Sequence, residues 1–456
     1  MKKILGIRLE NVGILDKLIL LLLFLLPLTL TISILIAELF SSIIAIYALF
    51  WTYKNRNNLE ILQNIKIPIY IILSFYIIII ISLGFSYNFN KSFLPSFFYF
   101  RYLLLSLGIF ILICKFEQTL KLILISLLLL LFLMTIDSFI ETLKINKIFG
   151  LSLEQYRIER GTHYFITSFF DDEKKLGSFL ARLCPLILSL IIFLNFKVFN
   201  KFDIKIPILI LIGLLIFFSS ERTALFLFTF TIIFSLKIFE KKFLILSGSI
   251  LILSLLIFSQ PKFFEKYIYA TLSQFGVLDS YSMYNIPEGG DVSNKERVKI
   301  TKNLNFSDPK YLSDEHEKLL RSGIIIFKEN PLTGSGIKTY HRYCKNIKEE
   351  RSLDIKCSSH PHNTYIQILS DVGIFGGLII LTIFIYILFI SSKILFIKNP
   401  STSLKSFYIL NLGIIINLMP FIPSGSFFNN WINLMIYFPL GTWLYLFYYI
   451  KKNKQL

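Results

Sequence analysis

Residues 18–36 form an uninterrupted apolar run, LILLLLFLLPLTLTISILI, without a single charged side chain. A helix of this length is long enough to cross the hydrocarbon core of a bilayer. The run is too long for a signal peptide and similar runs follow it, so it predicts a first transmembrane helix. The composition agrees, because 55% of the residues are hydrophobic and the mean hydropathy is +0.67. The chain is therefore predicted to be a polytopic membrane protein.

The same criterion, applied along the chain, predicts an all-α protein with about twelve transmembrane helices. Each span is a long apolar run, and most of the charged residues lie in the connections between runs. The predicted spans cover residues 17–35, 37–53, 67–84, 97–115, 119–141, 177–196, 204–220, 222–237, 243–259, 366–391, 404–422 and 431–450.

The placement of Lys and Arg predicts the orientation of these helices. Alternate connections on one side, together with both termini, hold 21 Lys and Arg residues, whereas the short connections on the other side hold only Lys91, Arg101 and Arg222. Cytoplasmic loops of membrane proteins carry the excess of basic residues. Both termini are therefore expected in the cytoplasm, and the long loops 142–176 and 260–365 are expected outside it.

The lengths of the connections divide the chain into three parts. Residues 1–259 are predicted to form an N-terminal bundle of about nine helices, and residues 366–456 are predicted to add about three more. The large loop 260–365 between them is predicted to be periplasmic and to contain one amphipathic helix. Ser313 suits the N-cap of that helix, and Asn330, which precedes a proline, suits its end.

Four cysteines divide into two pairs. Cys114 and Cys184 fall within predicted spans and are expected to be inert buried thiols. Cys344 and Cys357 lie in the large loop, where an oxidising compartment would favour a disulfide. A zinc site and two free thiols are the alternatives, and zinc would use these two sulfurs together with His341, His360 and His362.

A titratable base lies where the large loop enters the next apolar run. His362 and Asn363 are followed by nine residues and then by Gly373 and Gly376. His362 at a helix N-terminus is expected to stay neutral and to act as a general base. Asn363 suits the cap of the helix, and His360 is a supporting residue. The two glycines are expected to serve helix packing, and the plain alternative for His362 is an interfacial histidine without chemistry.

Three arginines could meet this base at the outer face of the membrane. Arg182 lies one turn into a predicted helix, Arg222 begins another, and Arg321 lies on the amphipathic helix of the loop. Arginine stays charged and binds phosphate in a bidentate manner, so a lipid-linked phosphate or pyrophosphate is the expected ligand class. Alternatively, Arg222 snorkels to the interface, Arg182 pairs with Asp171 or Asp172, and Arg321 belongs to a solvated face.

These motifs resemble the bacterial O-antigen ligase and O-antigen polymerase superfamily. Its signature is His followed by Asn, Ser or Gln, then nine residues and Gly-x-x-Gly, and residues 362–376 match it without a gap. Further stretches resemble its other segments, namely Asn330-Pro-Leu-Thr-Gly-Ser-Gly336, Ser220-Glu-Arg-Thr-Ala-Leu225, Arg321, and the looser stretch 169–182.

The resemblance implies a GT-C-like fold and a metal-independent, inverting glycan transferase without a cofactor. Its donor would be a glycan on undecaprenyl pyrophosphate, with His362 as the base and the arginines holding the pyrophosphate. A ligase transfers the glycan to lipid A–core, whereas a polymerase transfers it to a second lipid-linked repeat unit. The ligase is the favoured expectation. The expected location is the bacterial inner membrane, with the site facing the periplasm and with membrane lipids, but no nucleic acid, as further partners.

Two readings from other classes compete with the transferase. Many transmembrane helices with arginines could form a lipid-linked glycan flippase or another transporter, although transporters commonly contain two related halves, which this chain lacks. A non-catalytic scaffold that binds lipid-linked glycan is the third reading.

Overall fold

The part of the chain that the structure describes is built almost entirely of α-helices. The computed structural model describes residues 12–56, 60–145, 165–170, 173–198, 202–236 and 314–455. The predicted span 243–259, most of the loop 142–176 and the first part of the loop 260–365 lie outside these residues. In the described part, the only strands are β1 (Lys197–Val198) and β2 (Phe202–Asp203), which pair antiparallel.

Fifteen helices are described in the structure. The bundle before the large loop contains α1 (Ile14–Ile32), α2 (Ile34–Lys54), α3 (Glu60–Gln63), α4 (Lys66–Gly84), α5 (Phe89–Phe97), α6 (Phe100–Lys115), α7 (Gln118–Ile145), α8 (Leu176–Phe193), α9 (Lys205–Phe218) and α10 (Arg222–Ser235). The remainder contains α11 (Asp314–Glu329), α12 (Tyr340–Arg351), α13 (Thr364–Phe396), α14 (Thr402–Asn417) and α15 (Asn430–Lys452).

Every predicted span that falls on described residues coincides with a helix, which confirms the all-α prediction. Among the described residues, seven helical segments are long and apolar enough to cross a membrane, and α9 and α10 are shorter apolar helices. Segments of this length and composition are typical of an integral membrane protein. The number of about twelve crossings, their orientation and the GT-C-like arrangement remain predictions.

Helix α8 lies at the centre of the bundle. Its residues from Leu176 to Ile192 are nearly all buried, because it is apolar on all sides rather than along one stripe. It packs against α14 along most of its length and also contacts α9 and α10. A second group of helices, α2, α6 and α15, packs beside it.

The described part of the large loop has a small hydrophobic core of its own. Ile326 of α11 packs with Tyr340, Cys344 and Ile347 of α12, and with Ile355 of the following segment. A helix is present over the predicted segment as α11, and it packs against α12 and, more extensively, against α13.

Helix α13 is broken at Gly373. This residue has φ of 82° and ψ of −173°, so the segments 364–372 and 374–396 are two helices joined end to end. A Cβ at this position would lie 2.2 Å from the carbonyl oxygen of Leu332. The sequence predicted helix packing for Gly373, but the residue instead provides a backbone turn that other residue types adopt only with strain.

The segment 331–336 fills this break and bonds to its free backbone groups. The N–H of Ile374 donates to the carbonyl of Pro331 at 2.9 Å. The carbonyl of Ser370 accepts from the N–H of Ser335 at 2.8 Å, and the carbonyl of Asp371 accepts from the N–H of Gly336 at 2.9 Å. Irregular backbone inside a membrane protein persists only where protein groups satisfy it in this way. The loop is thereby fixed to the helix that begins at the histidine motif.

We predict that Gly373→Ala destabilises the protein by about 2 kcal/mol or more, because it adds left-handed strain and a collision with Leu332. Thermal unfolding in detergent, followed by tryptophan fluorescence, measures this effect. Gly84→Ala is the matched control, since a Cβ at Gly84 meets no atom within 4 Å. Equal melting temperatures for the two variants would contradict the role assigned to the break.

Candidate functional site

The histidine motif is held by a side-chain cap at the start of α13. Asn363 is the N-cap, and its Oδ1 accepts from the backbone N–H groups of Tyr365 at 3.0 Å and Ile366 at 3.1 Å. Its Nδ2 donates to the carbonyl of Pro420 at 2.6 Å. His362 therefore lies just outside the first turn of the helix, on a backbone fixed from two directions.

A second anchor comes from the 418–429 loop, the connection between α14 and α15. The N–H of Ser424 donates to the carbonyl of His362 at 2.9 Å, and the carbonyl of Ser424 lies 3.1 Å from Nε2 of His360. Thr364 Oγ1 also donates to Ser424 Oγ at 2.9 Å. These bonds hold His362 in a left-handed conformation, with φ of 55°, which a histidine seldom adopts without support.

Two other imidazole rings flank His362. The ring of His360 lies 4.1 Å away between centroids, and that of His316 lies 6.1 Å away. Ser358 Oγ is 3.4 Å from Nε2 of His362. The pKa of His362 is lowered, mainly by burial and further by positive charge on His316 and Lys356. The direction agrees with the expectation, although burial, rather than the helix terminus, is the main cause.

His360 is more deeply buried than His362. Burial is the largest cause that lowers the pKa of His360, to about 4, and the charge of His362 adds to it. Both side chains are therefore neutral imidazoles near pH 7. A neutral imidazole can accept a proton, so the motif has the protonation state that a base requires.

Arg182 is buried in α8 and connects to the histidine motif through the end of α14. Its Nε donates to Oδ1 of Asn417 at 2.9 Å, and its Nη1 donates to the carbonyl of Ser178 at 3.2 Å. The next residue, Leu418, accepts from the hydroxyl of Tyr365 at 2.9 Å. Arg182 and the motif therefore approach the same short stretch of backbone.

The N-terminus of α8 is capped by a carboxylate from another helix start. Glu221 accepts from the backbone N–H of Gly177 at 2.6 Å, from that of Ser178 at 3.1 Å, and from the hydroxyl of Ser178 at 2.5 Å. Burial raises the pKa of Glu221, and the charge of Arg182 opposes that rise. A protein carboxylate thus occupies the N-terminus of α8, where the helix dipole favours a negative charge.

Arg222 directly follows this carboxylate. It is the first residue of α10 and is partly buried. Burial lowers the pKa of Lys174, and the charges of Glu221 and Arg222 both act on it. Arg182, Glu221 and Arg222 therefore form one charged cluster at the starts of α8 and α10.

Arg321 does not join this cluster. It is exposed on α11 and borders a surface hollow shared with Glu317, Lys318 and Asp354. His316 and Gly323 are two helical turns apart and face the histidine motif, whereas Arg321 is offset by about 140° from His316 around the helix. The structure brings Arg182 toward His362 but leaves Arg321 on the outer face.

An apolar cavity lies between α4, α8, α13, α14 and α15. Its volume is about 120 Å³, and it is partly open to the outside. Arg182 is the only charged residue among the described residues that line it, and Asn417 lies beside it. The other lining residues include Pro68, Ile72, Phe75, Pro185, Leu186, Ile380, Ile383, Ile387, Ile414, Phe427, Met435, Tyr437, Leu440 and Trp443.

Residues 207–381 match the O-antigen ligase family. The matched range contains Arg222, Arg321, His362 and Gly373, while Arg182 precedes it. No curated protein matches this chain. The match confirms the resemblance found in the sequence and supports a membrane glycan transferase of the O-antigen ligase or polymerase type.

Three residues of the site give no signal in the sequence. Nothing in the local pattern shows that Glu221 caps a helix that begins 44 residues earlier. Ser424 and His316 reach the motif from segments that are distant in sequence. The spacing of apolar residues along the chain does not reveal such contacts.

Cys344 and Cys357 are joined by a disulfide in the structure, with their Cα atoms 5.6 Å apart. The bond ties α12 to the segment that leads into the histidine motif. Nδ1 of His341 lies 3.0 Å from the carbonyl of Ser358 in the same region. The bonded sulfurs are not available as zinc ligands in this arrangement.

We predict that Glu221→Ala destabilises the protein by about 1–3 kcal/mol, because it leaves two buried N–H groups without an acceptor. Glu221→Gln keeps an acceptor oxygen and should cost less. Thermal unfolding in detergent ranks the variants, and equal stability of Glu221→Ala and wild type would rule out the cap.

We also predict that the denatured protein alkylates at two cysteines without reductant and at four after reduction, as mass spectrometry can count. The double variant Cys344→Ser/Cys357→Ser should lose about 3 kcal/mol, the value for a short closed loop. Four modified cysteines without reductant would show that the bridge does not form.

Proposed function

We propose that this protein transfers a glycan from undecaprenyl pyrophosphate to an acceptor hydroxyl at the periplasmic face of the bacterial inner membrane, and that the acceptor is lipid A–core. The observation that carries the proposal is the position of Arg182. It lies on the wall of the apolar cavity and, through Asn417 and Leu418, beside the histidine motif.

The cavity suits the lipid part of such a donor. A polyprenyl tail is a long apolar chain, and aliphatic and aromatic side chains line the cavity between helices of the bundle. A single charged lining residue would then attract the diphosphate head to one end. This arrangement favours a ligand that is apolar over most of its length and anionic at one point.

Arg182 and Arg222 are the proposed diphosphate-binding residues. Their guanidinium groups remain charged and present several donors to phosphate oxygens. Glu221 lies between them and holds the starts of their two helices together, so it orients both arginines. Arg321 does not share this position, and we assign it no contact with the diphosphate.

His362 is the proposed general base. An imidazole nitrogen takes the proton of the acceptor hydroxyl while the oxygen forms a bond to the anomeric carbon of the donor sugar. The bond from that carbon to the diphosphate oxygen breaks, and its electron pair leaves with undecaprenyl diphosphate. Attack from the face opposite the leaving group inverts the anomeric centre. The imidazolium then returns its proton to solvent.

The arginines stabilise the charge that develops on the leaving diphosphate. Fixed positive groups aimed at a developing anion are a large source of catalysis in sites shielded from water. In this proposal they take the role that a metal ion plays in other enzymes with phosphate leaving groups, so the transfer is metal-independent. A polymerase would use the same bond changes with a second lipid-linked repeat unit as the acceptor.

We predict that His362→Gln lowers the rate of transfer by about 100-fold or more, since a general base contributes at least about that factor. Cells that carry the variant should accumulate long glycan on the lipid carrier and bare lipid A–core, as separate gels of the two pools would show. His341→Gln is the matched control, because the ring of His341 contacts the backbone carbonyl of Ser358, whereas it is the hydroxyl of Ser358 that approaches the ring of His362.

The same gels test the alternatives. Core that carries single repeat units would identify a polymerase instead of a ligase. Unchanged pools in cells with His362→Gln as their only copy would overturn the transferase proposal and favour a transporter or a scaffold.

A further inference from the structure

His316 is the residue of α11 that faces the proposed base. Its ring centroid lies 6.1 Å from that of His362, and the two planes are steeply inclined. His316 lies in the first turn of α11 and is partly buried. The sequence does not single out His316, which lies 46 positions before His362 and belongs to no motif.

The docking of α11 fixes this approach. A Cβ on Gly323 would lie 2.4 Å from Cγ2 of Ile366 and 3.1 Å from Cβ of Pro361. Those two residues stand on either side of His362, so α11 contacts the motif both before and after the base. Only a glycine allows this closeness without a shift of the neighbours.

The described titratable groups around His362 are all basic. His316 acts from α11, and Lys356 acts from the segment after α12. The ring of His360, from the motif itself, lies tilted against that of His362. Glu317 and Arg321 lie on the same helix as His316 but line the outer hollow. Positive charge on His316 or Lys356 opposes a proton on His362.

We propose that His316 is a positioning residue of the transfer reaction, which sets the lower pH limit at which His362 can act as a base. The inference rests on the proposed function. Positive charge on His316, 6.1 Å away between ring centroids, opposes protonation of His362. The base therefore stays neutral at pH values where an isolated imidazole would already be charged, and the enzyme keeps its activity in a mildly acidic periplasm.

The test is a pH–rate profile of the purified full-length protein in proteoliposomes, with lipid-linked glycan and lipid A–core as substrates. His316→Gln removes the neighbouring charge, so the pKa of His362 should rise and the acid limb should move to higher pH. At a fixed pH on that limb, the rate relative to the plateau should fall about threefold. His316→Arg carries a permanent charge and should move the limb to lower pH.

The opposite directions of the two variants distinguish this role from a structural one. A residue that only supports folding would lower the plateau in both variants and leave the limb in place. His341→Gln is the control and should match wild type throughout. Acid limbs that coincide for wild type, His316→Gln and His316→Arg would overturn the inference.

A second measurement separates this inference from the proposed function. The ¹³C shift of the His362 ring, assigned by its loss in His362→Ala, reports its titration without any transfer. If the titration of His362 shifts in His316→Gln but the wild-type protein transfers no glycan, the coupling of the two histidines is supported and the proposed transferase activity is overturned. Active transfer with an unmoved titration would sustain the transferase and overturn the role of His316.

Discussion

The interrupted backbone of α13 is the constraint on which the site depends. At Gly373 the helix loses its regular hydrogen bonds, and the bonds are restored by Pro331, Ser335 and Gly336 from a separate segment. A buried polar group without a partner costs free energy of the same order as a whole hydrogen bond. The break and the loop that fills it are therefore stable only together, and this pairing holds α11 and α12 over the start of α13.

The polar side chains of the site are likewise held by hydrogen bonds to other parts of the protein. Glu221, at the start of α10, accepts a hydrogen bond from the start of α8. Arg182 donates to Asn417 and to Ser178. The amide of Asn363 donates through its nitrogen and accepts through its oxygen. Each polar side chain is held by at least one partner, so few of them have to rearrange when a ligand arrives. Such preorganisation favours electrostatic catalysis, because groups that are already fixed need not reorganise as charge develops.

The elements of this fold could be predicted from sequence, whereas the contacts between them could not. Apolar runs and charge placement are local signals, so the spans that become α1, α8 and α13 were located from them alone. The amphipathic helix 314–329 was found in the same way. The family signature also singled out His362, although its neutral state arises from burial that no local pattern shows.

Other expectations changed because tertiary packing decided them. Gly373 was assigned to helix packing, since a spacing of Gly-x-x-Gly within an apolar run carries no sign of a break. Arg321 was expected at the diphosphate, but helix phase places it on the outer face of α11. The partner of the α8 terminus is a carboxylate far along the chain, at Glu221.

The 418–429 loop extends the site beyond the range that matches the family. That range ends at residue 381, yet Ser424 and Pro420 supply the bonds that hold His362 and Asn363 in place. During synthesis the ribosome completes every matched residue before it reaches these two. The nascent chain therefore contains every residue of the family match before the bonds from Ser424 and Pro420 can form. The site is complete only once α14 and α15 have joined the bundle.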